Sequence, residues 1–88
     1  MPKLRESPTE RMDRAFLAAI AAGQVLRREK NQDTLRLIGI TRSTFYRKLK
    51  SPGLFSMEDA RRIIQHYHFS DRQLCESFGV EYNGRTNP

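Results

Sequence analysis

The sequence predicts an all-α fold, a compact five-helix bundle, and three observations lead to it. Apolar residues recur at three- and four-residue spacing along several segments, the period of one buried helix face. Ser7 with Glu10, Ser56 with Asp59 and Ser70 with Gln73 have the spacing of capping boxes, which mark helix starts. Glycine and proline punctuate the chain at Gly39, at Pro52-Gly53 and at Gly79, where helices stop or turn. A chain of 88 residues makes one domain with one small core, burying roughly 60–65% of its unfolded surface.

The first helix starts at Pro8, because Ser7 can accept the Glu10 amide proton while Glu10 reaches back, and proline suits the first helical position. Met12, Ala15, Phe16, Ala19, Ala22 and Leu26 form its expected buried stripe, with Arg11, Arg14, Arg27 and Arg28 off it and Gly23 loosening its middle. The second helix runs from Asn31 or Gln32 to Ile38, and Gly39 supplies the permissive backbone for a sharp Gly39-Ile40 turn. Thr41 caps the third, which ends at Ser51-Pro52-Gly53. The fourth starts at Ser56, buries Ala60, Ile63, Ile64 and Tyr67, and closes at His68-Phe69. The fifth opens at Ser70, buries Leu74 and Phe78, and stops at Gly79. Residues 1–7 are then a flexible basic arm, 8–79 the domain, and 80–88 a tail that starts extended at Val80-Glu81-Tyr82.

On the third helix Phe45 and Leu49 lie four residues apart and share the buried face. At about 100° per residue, Ser43, Arg47 and Lys50 fall opposite it, flanked by Thr44 and Tyr46. Two short helices, a tight glycine turn and a cationic outer face make the layout of a helix-turn-helix. The run Gly39-Ile40-Thr41-Arg42-Ser43-Thr44-Phe45-Tyr46-Arg47-Lys48-Leu49 closely resembles the turn and recognition helix of the Cro/CI-type, lambda-repressor-like helix-turn-helix family of phage and bacterial regulators. The resemblance extends over about residues 31–70, and the five helices in this order match that family's bundle. Two positions depart from the family pattern. Leu35 stands four before the turn glycine, where a small residue is usual, so Thr34 or a shifted second helix has to compensate. Gln32 stands seven before it instead of eight, and is carried over as a phosphate contact.

The resemblance implies sequence-specific binding of double-stranded DNA with the third helix in the major groove. Arg42, Ser43, Tyr46 and Arg47 are the expected base readers: an arginine can fork onto guanine O6 and N7, and a tyrosine can touch a thymine methyl. Gln32, Thr44, Lys48 and Lys50 are the expected phosphate contacts, with Lys3 and Arg5 trailing along the duplex as an arm. One reader of this size buries little surface, so a homodimer on two half-sites is expected. Its first candidate surface is Leu74, Phe78, Val80 and Tyr82, and its second the alanine-rich first helix. Repression of transcription is the commoner outcome for this resemblance, beside activation, an autoregulating antitoxin and a phage lysogeny switch. The alternative, from another class, is a basic helical interaction module, adaptor or antitoxin-like, docking an acidic protein, with Tyr46 and Arg47 as interface anchors.

Charge distribution agrees. Of the net +6, residues 1–30 hold seven Lys/Arg against four acids, residues 31–50 five against one, and residues 51–88 four against five. The excess lies on and before the third helix, which favours a polyanionic partner. Enzymatic and metal sites are not expected. His66 and His68 are two apart on a helix and point apart, and no further ligand beyond Cys75 has a recognisable spacing. Cys75 beside Leu74 and Phe78 reads as a small buried apolar residue without a base. No cofactor or small-molecule ligand is expected, and no apolar run approaches a membrane span. One cysteine and an N-terminal segment without an apolar signal region point to the cytoplasm.

Overall fold

Helix starts follow the caps. A computed structural model describes residues 7–81, which form α1 (Pro8–Arg27), α2 (Asn31–Ile38), α3 (Arg42–Lys50), a 3₁₀ turn (Pro52–Leu54), α4 (Met57–Tyr67) and α5 (Asp71–Phe78). The fold is all-α, with no strand among the described residues. Ser7 Oγ accepts the Glu10 N–H at 3.1 Å and the Glu10 carboxylate accepts the Ser7 N–H at 3.2 Å, satisfying two otherwise orphaned donors. Ser70 and Gln73 repeat this at 3.1 and 2.8 Å, and Ser56 accepts from Asp59 at 3.0 Å. At α2, which has no hydroxyl cap, Asp33 accepts the Lys30 backbone N–H at 2.7 Å and places its charge at the positive end of the helix.

The core comprises Phe16, Ala19 and Ile20 of α1, Ile38 of α2, Phe45 of α3, Ala60, Ile63 and Tyr67 of α4, and Phe69. α1 packs chiefly on α5 and also on α4; α2 lies on α4 and α3; the 3₁₀ turn bridges α1 and α3. Phe55, after that turn, sets its ring 5.8 Å from Phe16 and 6.3 Å from Phe45.

Three expectations about burial are corrected. Leu26 and Ala22 are exposed, because the face of α1 that meets the bundle rotates through Ile20 and Gly23 at its C-terminal half. Phe78 is half exposed at the end of α5, and the buried residue there is Ser77. Cys75 is only partly buried, since its side of α5 faces the groove beside α1. Gly23 has a packing role instead of a loosening one: a Cβ at that position would lie 2.6 Å from Tyr67 Cβ, so its absence is what lets α1 and α4 approach.

Polar groups join the helices as well. Gln24 Nε2 donates to Thr34 Oγ1 at 2.8 Å and to Asn31 Oδ1 at 3.0 Å, and Thr34 and Tyr67 share a hydroxyl contact of 2.6 Å. Tyr67 donates to Glu29 at 3.0 Å, and the same carboxylate meets His66 Nε2 at 3.0 Å and Arg27 Nε at 3.1 Å. Thr34 is fully buried, and this chain seats α2 against α1 and α4.

Candidate functional site

The α2–turn–α3 unit is built by backbone geometry first. Gly39 caps α2 in the left-handed region, φ 71° and ψ 37°, and its N–H donates to the Leu35 carbonyl at 2.9 Å. The Ile40 N–H reaches the same carbonyl at 3.2 Å, so the chain reverses within three residues before α3 begins. Thr41 then caps α3, accepting the Thr44 N–H at 3.3 Å and donating its hydroxyl to Thr44 Oγ1 at 2.8 Å. Phe45 is completely buried and Leu49 is packed against the core, which fixes the rotation of α3 about its axis.

That rotation leaves Arg42, Ser43, Tyr46, Arg47 and Lys50 exposed and Thr44 partly buried. Arg47 and Lys50 have no ion-pair partner among the described residues. Gln32, near the start of α2, is exposed. Tyr46 is 40% exposed, with the Arg42 guanidinium carbon 5.8 Å from its ring centroid. Hydrogen bonding to Asn31, then to Arg42, draws the Tyr46 phenol below its ordinary pKa of 10.0.

Lys48 differs from its neighbours. Its Nζ lies 3.2 Å from Asp59 of α4 and 5.8 Å from the Phe55 ring centroid, and the pair is largely shielded from solvent. Its position, one step before Leu49 at the edge of the buried face, directs it toward α4 and away from the outer face of α3. Its expected role as a phosphate contact therefore competes with the ion pair to Asp59.

Among the other expected site residues, Leu74 is partly buried, and Phe78 and Val80 are 48% and 60% exposed. Lys3, Arg5 and Tyr82 lie outside the described residues. Sequence reasoning missed Gln24 and Asn31 as a polar link between α1 and α2, and Asp59 as the partner of Lys48. Nothing in their spacing marks them, because each acts across helices. Among the described residues no three His, Cys, Asp or Glu side chains come together to hold a metal ion, and no helix is long and apolar enough to cross a membrane.

No family model, curated protein or solved structure matches the chain.

Proposed function

We propose that the chain is a sequence-specific double-stranded DNA-binding regulator of the Cro/CI type, acting in the cytoplasm as a homodimer and repressing transcription. The observation that carries the reading is the outer face of α3. Arg47 and Lys50 stand exposed with no ion-pair partner among the described residues, Arg42 and Ser43 extend the same surface, and buried Phe45 holds the opposite side. A helix presented in this way meets the needs of major-groove reading: cations near phosphates and a forked donor within reach of guanine. The tight turn at Gly39 supports it by ending α2 sharply, and exposed Gln32 of α2 lines a cleft together with Arg42 and Tyr46 of the reader. Exposed Phe78 and Val80 at the end of α5 support pairing with a second copy.

Selection of bound fragments from random duplex DNA tests the proposal. An enriched, twofold-symmetric site with half-sites about 34–36 Å apart is expected for a dimer. Recovery of unselected sequence would overturn the reading of α3 as a base reader.

A further inference from the structure

A cleft of about 170 Å³ opens between α2 and α3, lined by Gln32, Leu35, Arg42 and Tyr46. It is smaller than the roughly 300–1,000 Å³ of a site that encloses a metabolite, so its occupant is a chemical group instead of a whole ligand. Leu35 and the Tyr46 ring contribute apolar surface to it, and Arg42 and Gln32 contribute polar groups.

Leu35 is held in place by the core, against which it packs, and α2 is seated by its own polar bonds. Tyr46 follows the completely buried Phe45 on α3, and the Arg42 guanidinium carbon lies 5.8 Å from its ring centroid. Asn31 Oδ1 accepts from Gln24 Nε2 at 3.0 Å, and the second bond of that amide goes to buried Thr34 at 2.8 Å. A wall supported in this way keeps its shape before anything binds, which favours discrimination over adaptation.

In the major groove the only apolar group on a natural base edge is the thymine 5-methyl, and guanine alone presents paired O6 and N7 acceptors for an arginine. We infer that the cleft receives a pyrimidine 5-methyl against Leu35 and Tyr46 while Arg42 forks onto the adjacent guanine, so that the chain reads a thymine-guanine step and its 5-methylcytosine-guanine counterpart. The inference rests on the reading of α3 as a DNA reader. Leu35 gains a purpose here: a small residue at that position would leave the cleft without its apolar floor.

The test uses the full chain and the best duplex from the random selection, rebuilt with each thymine replaced in turn by deoxyuridine, cytosine or 5-methylcytosine. One thymine beside a guanine in each half-site should respond. Its change to deoxyuridine should weaken binding about fourfold, the ratio equivalent to about 0.8 kcal/mol for one buried methyl. At that position 5-methylcytosine should bind better than cytosine. Tyr46→Ala should abolish the difference between thymine and deoxyuridine, while Arg42→Ala should keep it and lose the preference for guanine. A strongly selected duplex that is indifferent to every deoxyuridine replacement would overturn the methyl cleft and leave DNA reading intact. A fourfold methyl effect that survives in Tyr46→Ala would also overturn it. Failure to select any duplex would overturn both readings.

Discussion

The hydroxyl oxygens of Thr34 and Tyr67 lie 2.6 Å apart in the core, across 33 residues of sequence. Because Tyr67 donates its proton to Glu29 at 3.0 Å, its oxygen accepts from Thr34, whose own oxygen accepts from Gln24 at 2.8 Å. Every donor in this chain has a direction, and together the bonds tie α1, α2 and α4. The angle at which α3 is presented depends on α2, so this buried polar chain is the foundation of the proposed reader.

Thr34→Val keeps the shape of the side chain and removes its hydroxyl. It should cost about 1–2 kcal/mol, since Gln24 loses an acceptor and Tyr67 a donor. Tyr67→Phe should cost a similar amount, and the double variant clearly less than both together, because one bond is shared. Urea melts of the three variants and wild type measure the coupling; strictly additive costs would mean that the two hydroxyls do not interact.

Two glycines should respond to substitution for opposite reasons. At Gly39, φ is 71° and nothing lies within 4 Å of a built Cβ, so Gly39→Ala meets only the left-handed backbone penalty of about 1–2 kcal/mol. Gly39→Asn should recover most of that loss, since asparagine tolerates this region. Gly23→Ala gains about 1 kcal/mol of helix propensity but forces a Cβ to 2.6 Å from Tyr67, and overpacking of about 1–3 kcal/mol should leave it less stable. Gly23→Asn should be worse still. Thermal melts of the four variants separate backbone strain from crowding.

Helix order and most boundaries were legible in the sequence because caps and turns are local. Ser7-Glu10, Ser56-Asp59 and Ser70-Gln73 bond within one helical turn, and Gly39 and Gly79 terminate helices by their own backbone. The outer face of α3 followed from the buried position of Phe45 and the helical period. Burial in the C-terminal half of α1 was not legible, since the contact of Gly23 with Tyr67 depends on how two distant helices cross. The pairing of Lys48 with Asp59 and the bond of Gln24 to Asn31 were hidden for the same reason. The room that Leu35 seemed to deny beside the turn comes from its neighbour: Thr34 is the small residue that enters the core.

Acid sensitivity should trace in part to Glu29. Its hydrogen bond to His66, ahead of those to Arg27 and Tyr67, holds its carboxyl below the ordinary 4.5, while burial opposes the shift. A carboxyl depressed in the folded state contributes stability that is complete above the unfolded value and is lost as pH falls through the folded one. Glu29→Gln should therefore be less stable than wild type near neutral pH, with the gap narrowing as pH drops below 4.5. Melting temperatures of both proteins across that range decide the matter. Glu10, also held low by Ser7, is present in both and cancels in the difference. A gap that stays constant would place the effect in packing instead of charge.

The cations of α3 should separate into three kinds of behaviour. Arg47 projects from the middle of the exposed face, so Arg47→Ala should cost about 1–3 kcal/mol on the preferred duplex and much less on random duplex, the mark of a base contact. Lys50 is exposed at the end of the helix with no ion-pair partner among the described residues, and its loss should weaken both duplexes similarly while lowering the slope of log K against log salt by about 0.9, one neutralised phosphate. Lys48 is committed to Asp59 at 3.2 Å, so Lys48→Ala should leave the salt slope unchanged and instead cost about 1 kcal/mol of stability through the lost ion pair. Competition binding at several salt concentrations, with a urea melt of each variant, reads all three. If Lys48→Ala lowers the salt slope as Lys50→Ala does, Lys48 exchanges Asp59 for a phosphate on binding. If Arg47→Ala weakens both duplexes equally, Arg47 is a phosphate clamp and base reading belongs to Arg42, Ser43 and Tyr46. A flat salt dependence in wild type would favour docking to a protein partner over DNA.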